Sequence, residues 1–173
     1  IMADAFTILE HRDTLENLKI VYVGDGNNIA HSWINFASRV PIELVICSPT
    51  DYQPEPQTLE RARAAGLSSI ELSSDPVKAV SGADVVYTDV WASMGQEAEA
   101  AARRKIFMPY QLNSDLIAHA RDDVLVMHCL PAHRDDEITD EVMEGPNSIV
   151  FDEAENRMHV QKAIMVFLDR AGQ

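Results

Sequence analysis

Three polar clusters in this chain have residue types that can do chemistry on a small charged ligand. The first is Gly24-Asp25-Gly26-Asn27-Asn28, the second runs from Asp89 through Ser93-Met94-Gly95, and the third is His128-Cys129-Leu130-Pro131-Ala132-His133. Asn27 and Asn28 offer two amides where a helix is expected to begin, and an amide at such a mouth can donate to a carboxylate. Asp89 directly follows the apolar run Val85-Val86-Tyr87-Thr88, so its carboxylate needs a partner. A ligand ammonium fits; an Arg or a backbone N–H would serve equally. Two His and one Cys within six residues invite a metal, but no recognisable spacing supplies a fourth tetrahedral ligand, and a Cys ending a buried strand reads as a small hydrophobe. No metal is expected. Leu130-Pro131 is an X–Pro bond that can adopt the cis form.

A fourth cluster, Asp152-Glu153-Ala154-Glu155-Asn156-Arg157, is expected to open the last helix, with Asp152 and Glu155 as an acidic capping box. Arg157 is then a cation near the positive end of a helix and in register with the apolar residues Val160, Ile164 and Leu168. It suits either an anion or polarised carbonyl, or a snorkelling arginine. Ser93 with Gln96 fits a capping box for a helix over 94–107. Arg103-Arg104-Lys105, balanced by Glu97 and Glu99, reads as a solvated face.

The elements that must position these clusters alternate. Short β-branched apolar runs at 19–23, 43–47, 69–72, 84–88, 124–128 and 148–151 predict strands covered on both faces. Helical patterns are read at 29–39, 56–65, 76–80, 94–107, 114–120 and 154–168. The alternation predicts an α/β fold with a doubly wound, mainly parallel sheet and helices on both faces, Rossmann-like, forming one domain of a two-domain enzyme. Ligands of such sheets bind beyond the carboxyl ends of the strands, where the three clusters fall. Residues 1–11 carry a helical apolar spacing with no cap ahead of them, which predicts a piece of a longer chain.

Composition narrows the class. Among 173 residues, 14 Lys and Arg face 28 Asp and Glu, a formal charge of −14. That excludes the electrostatic footprint of a nucleic-acid or anionic-membrane partner. No apolar run approaches the ~18–20 residues of a membrane span. Two cysteines, outside any CxxC pair, predict a reducing cytoplasm. Gly24-x-Gly26 begins a dinucleotide fingerprint, but Ile29 stands where the third glycine belongs, and no cofactor is expected.

Taken together, Asp25-Gly26-Asn27-Asn28 with His31-Ser32, Asp89 through Gly95, His128-Cys129-Leu130-Pro131 and Glu153-Ala154-Glu155-Asn156-Arg157 resemble the ornithine carbamoyltransferases, in family order and spacing from residue 1 to about 168. The resemblance implies transfer of a carbamoyl group from carbamoyl phosphate to the δ-amine of L-ornithine, in arginine biosynthesis. It implies that Asn28 and the Met94 backbone N–H hold the α-carboxylate, and that Asp89 and Ser93 bind the amino groups. Cys129 and Leu130 would line the reaction centre, and Arg157 would contact the carbamoyl oxygen. It also implies a homotrimer, with residues 1–17 part of an interdomain helix, 18–151 the ornithine-binding domain and 152–173 a helix packing back toward another domain. The family's phosphate-binding segments (a Ser/Thr/Arg loop, His-Arg-Thr and His-Pro-x-Gln) do not occur in these residues, so this chain alone is expected not to turn over. The competing readings are a carbamoyltransferase for putrescine or an acylated ornithine, and a non-catalytic amino-acid-binding domain.

Overall fold

A computed structural model describes residues 1–92 and 99–172. The strands β1 (Lys19–Val23), β2 (Glu43–Cys47), β3 (Ser69–Ser73), β4 (Val85–Thr88) and β5 (Leu125–His128) form one sheet. Their order is β3-β2-β1-β4-β5, and every pairing is parallel. The chain first steps outward from β1 to β3, then returns to lay β4 on the other side of β1. That reversal opens a crevice at the carboxyl ends of β1 and β4, the switch point of an open α/β sheet.

Side chains alternate along each strand, and in β1, β2, β4 and β5 both sets are largely buried, whereas the edge strand β3 buries only Ile70. Ile20, Tyr22, Leu44, Ile46, Tyr87 and Met127 pack with Ile8 of α1 (Met2–Arg12), Trp33 and Ile34 of α2 (Asn28–Ala37) and Leu59 of α3 (Pro56–Ala65). Val21, Val23, Val45, Val86 and Val126 face the other way. They meet Val80 of α4 (Pro76–Val80), Leu116 of α6 (Ser114–Ile117) and Val142 of α7 (Asp140–Met143). The remaining helices are α5 (Ala100–Phe107) and the long α8 (Val150–Ala171). Trp33 is completely buried and packs edge-on against both Tyr87 and Phe36.

Two expectations need correction. The run 148–151 is not a sixth strand. Ser148 makes a single bridge to Val126, and Val150 then enters α8, because the helical periodicity that follows outweighs two β-favouring residues. The helix expected over 114–120 closes at Ile117, its last bonds tightening to His119 N–H onto the Leu116 carbonyl. Of the helix expected over 94–107, residues 99–107 fall among the described ones, and 100–107 of these form α5. The short α7, capped by Thr139, was too brief to leave a periodic signal.

The amino half of α8 is locked to α1. Asn156 donates to Thr7 Oγ1 at 3.0 Å and to Glu10, and His11 pairs with Asp152. Beneath them lies a buried carboxylate pair, Asp4 and Glu153, both within 3.3 Å of the Tyr87 hydroxyl. Glu153 also accepts the His128 backbone N–H at 3.1 Å. Burial, then the neighbouring Asp4 charge, push the Glu153 carboxyl well above the usual carboxylate range. The folded state therefore keeps a proton that the unfolded chain releases above its ordinary value of ~4.3, so this group's contribution falls as pH rises from there. Denaturant unfolding at pH 5 and pH 8 should show a smaller loss of stability on going to pH 8 for Glu153→Gln than for the wild type. Equal losses would refute the assignment.

Candidate active site

The β1 loop is built by close backbone approach. Gly26 N–H donates to the Tyr52 carbonyl at 2.8 Å, and a Cβ at Gly26 would lie 2.4 Å from that oxygen and from Pro54 N. Glycine is required there for space. Asn27 caps α2, its side-chain oxygen accepting the Ile29 N–H at 3.2 Å. Asn28, the first helical residue, is exposed, so of the two amides it is the one presented to solvent.

Asp25 turns inward instead. Its carboxylate is paired with Arg103, whose guanidinium also donates to the Trp91 carbonyl and lies over the rings of Tyr52 and Phe107 at 4.8 and 5.2 Å. Arg103 is therefore not part of a solvated face; it is buried, with Phe107, on the inner side of α5. The i, i+4 spacing of Arg103 and Phe107 was the available signal, and flanking charges hid it. Arg104 is exposed and pairs with Asp136, as a surface cation should. One buried guanidinium thus ties the loop after β1 to the loop after β4. Even so, burial outweighs the Arg103 charge and leaves the Asp25 carboxyl above its ordinary value.

The carboxyl ends of β4 and β5 bring Asp89 and Cys129 together. Cys129 donates its thiol proton to Asp89 Oδ1 at 3.1 Å, and Asp89 is almost wholly buried. Burial and the Asp89 charge both push the Cys129 thiol up, so at neutral pH it is a hydrogen-bond donor and not a thiolate nucleophile. Asp89, His128 and Cys129 hold potential ligand atoms within 4.8 Å of one another. Both nitrogens of His128 are already engaged, Nε2 with Glu137 and Nδ1 with the Leu130 N–H, so the trio fits a metal poorly. The Tyr22 hydroxyl, within electrostatic reach of Asp25, Asp89 and Cys129, is buried without a hydrogen-bond partner among the described residues. The Leu130–Pro131 bond is cis.

Arg157 reaches the same place from α8. Together with Cys129 and Leu130 it lines two adjoining cavities, of about 770 and 480 Å³; Asp4, Tyr87 and Ile29 line the smaller. Two expectations about this helix are corrected. It begins at Val150, so Asp152 and Glu155 lie inside it and form no capping box; Asp152 pairs with His11, and Glu155 with His159. Arg157 is accordingly two turns in, where the helix dipole has faded, and it is exposed, as is Leu168 of its stripe. It makes no ion pair among the described residues. Asn28 makes no side-chain contact with Asp89, Cys129 or Arg157, although its neighbour Ile29 shares their cavity. Ser93 and Met94 lie outside the described residues.

A buried carboxylate, a thiol and an exposed guanidinium thus lie around one switch-point crevice of an open parallel α/β sheet, the place where domains of this class hold small ligands. Residues 16–168 match the family described as aspartate/ornithine carbamoyltransferase, Asp/Orn binding domain, and the chain belongs to that family. It is 55% identical over 168 residues to an ornithine carbamoyltransferase of Syntrophus aciditrophicus, covering 97% of this chain and 56% of that relative. A Thermococcus kodakarensis ornithine carbamoyltransferase is 54% identical, with 96% and 54% covered. The solved ornithine carbamoyltransferase from Pyrococcus furiosus superposes with a TM-score of 0.89 at 52% identity, over 95% of this chain and 53% of that one. The chain thus spans about half the length of the relatives it matches.

The buried Arg103–Asp25 pair gives a direct test. Arg103→Met should cost about 3–5 kcal/mol in denaturant unfolding, because it strands a buried carboxylate. Adding Asp25→Asn should recover part of that loss. A double variant as unstable as the sum of the single ones would show that the two side chains act independently.

Proposed function

We propose that this chain is the ornithine-binding half of an enzyme that transfers the carbamoyl group of carbamoyl phosphate to the δ-amine of L-ornithine, giving L-citrulline and phosphate in arginine biosynthesis. The observation that carries this reading is the buried Asp89 carboxylate held against the Cys129 thiol, beside the cavities that Arg157 lines. The δ-amine, with an ordinary value near the ~10.4 of lysine, must shed a proton before its nitrogen can attack the carbamoyl carbon. As the new C–N bond forms, the bond from that carbon to the phosphate oxygen breaks, and phosphate leaves carrying the second proton that the attacking nitrogen gives up. Asp89 orients the amine by charge, with Ser93 as a second contact to the amino groups. Asn28 and the Met94 backbone N–H take the α-carboxylate. Cys129 and Leu130 line the reaction centre, and Arg157 polarises the carbamoyl oxygen.

The rest of the domain suits a role as one part of a larger enzyme. Residues 1–17 belong to an interdomain helix, 18–151 to the ornithine domain, and 152–173 to a helix that packs back toward the carbamoyl phosphate domain. In support, Met2 and Phe6 of α1 and Phe167 of α8 line an apolar cavity of about 350 Å³ on the outer surface, and Met165 and Leu168 are more than half exposed. Patches of this kind mark interaction surfaces. The complete enzyme is a cytoplasmic homotrimer in this reading. No helix among the described residues is long and apolar enough to cross a membrane.

Two substitutions in the two-domain enzyme test the site. Asp89→Asn keeps the shape and removes the charge, and should cost on the order of 2–4 kcal/mol in kcat/KM for ornithine; wild-type kinetics would make Asp89 a structural residue. Arg157→Met should lower kcat roughly 10²–10³-fold, the scale of one lost oxyanion donor. Because Arg157 is exposed and unpaired, its melting temperature should hold. A parallel fall in activity and melting temperature would instead assign Arg157 to the fold.

A further inference from the structure

The last residue of β5 and the loop that follows it contribute a buried base and a buried acid that the chemistry above does not use. Glu137 is 1% exposed and His128 is completely buried. Glu137 Oε1 lies 3.0 Å from His128 Nε2 and accepts the His133 backbone N–H at 2.5 Å. The only other ionisable group near it among the described residues is the exposed His133 ring, 3.8 Å from Oε2. No Lys or Arg of the described residues pairs with this carboxylate. A buried carboxylate without a strong cation is a costly way to stabilise a loop, and a hydrophobic residue of similar volume would commonly do as well.

The opposite edge of the imidazole shows what the carboxylate does. Leu130 N–H donates to His128 Nδ1 at 2.9 Å. A backbone N–H can only donate, so the nitrogen facing it must be bare. A neutral imidazole then carries its one proton on Nε2, and Glu137 is the acceptor that receives it there. The ring is thereby fixed in a single tautomer, in a single orientation, at the carboxyl end of β5. Leu130, the residue it holds, has φ +53°, a left-handed conformation that a branched non-glycine side chain rarely adopts without support. Cys129 lies between the two, and its thiol is the one aimed at Asp89.

We propose that Glu137 and His128 are positioning residues for carbamoyl transfer: Glu137 sets the His128 tautomer, and His128 Nδ1 holds the Leu130 N–H, fixing the Cys129–Leu130 backbone at the cavity it shares with Arg157. This rests on the reading above that Cys129 and Leu130 line the reaction centre. Neither Glu137 nor His128 touches the substrate. Their effect is geometric, and displacement of a reacting centre by about 1 Å can cost on the order of 10²-fold in rate.

The test exploits the two nitrogens. In the two-domain enzyme, His128→Asn places a carbonyl oxygen where Nδ1 was and keeps an acceptor for Leu130. His128→Gln mimics the Nε2 position and loses that acceptor. We expect kcat to fall about 10²-fold in the Gln variant and less than about 10-fold in the Asn variant. Ornithine affinity, by calorimetry, should stay within about threefold of wild type in both. Glu137→Gln should lower kcat between these limits. Equal kcat losses in the Asn and Gln variants, or losses that track ornithine affinity and melting temperature, would overturn the proposal. If the variants do not fold, long-range ¹H–¹⁵N spectra of the wild-type chain read the tautomer directly. A His128 ring protonated on Nε2 supports the proposal, and one protonated on Nδ1 or on both nitrogens overturns it. A wild-type enzyme that makes no citrulline would refute the functional reading itself, which is distinct from an active enzyme in which Asn and Gln behave alike.

Discussion

Everything at the site depends on β4 running parallel between β1 and β5. The register Val23↔Thr88 and Thr88↔His128 sets the last residues of three strands side by side. The Thr88 hydroxyl, donating to the Val23 carbonyl at 2.7 Å, ties two of those ends together. The residues that follow, Gly24, Asp89 and Cys129, then leave the sheet at one level and in one direction. Parallel pairing is what makes this possible, because an antiparallel neighbour would send its carboxyl end to the other rim. A shift of one residue in β5 would turn Cys129 to the opposite face and break the contact with Asp89.

Around that rim the chain buries several charged side chains. Asp25 is compensated by Arg103, Glu137 by His128 and a backbone N–H, and Asp4 with Glu153 by the Tyr87 hydroxyl and the His128 N–H. Each solution differs in kind: an ion pair, a carboxylate that selects a tautomer, and a carboxyl that keeps its proton. What they share is location. All lie under or beside the loops after β1, β4 and β5, and each joins elements distant in sequence. Buried polar networks of this sort contribute little net stability but fix side chains in one arrangement, which a site for a small charged substrate requires.

The long α8 serves two ends. Its first turns are held to α1 by Asn156 and Asp152, and its buried Glu153 reaches β4 and β5. Its later turns carry Met165, Phe167 and Leu168 into solvent. Arg157 sits at the boundary between the anchored half and the half whose apolar side chains are exposed.

The sequence by itself determined the five strands of the sheet and their order along the chain. The strands at 19–23 and 43–47 and the helices at 56–65 and 76–80 have the bounds that periodicity and N-terminal prolines predict, since those signals are local. It also placed Asp89 and Cys129 at strand ends. It misplaced the start of α8, because Val150 and Phe151 favour strand locally and only the helix that follows, packed against the sheet, overrules them. It misread Arg103, whose burial depends on Asp25, Tyr52 and Trp91 arriving from three other loops. It gave no sign that Glu137 and His128 would meet, or that Glu153 would share a hydroxyl with Asp4, 149 residues away in the chain. Which element forms follows from neighbours in sequence. Which charge is buried, and against what, is decided when distant loops are brought together, because desolvation and pairing act through space.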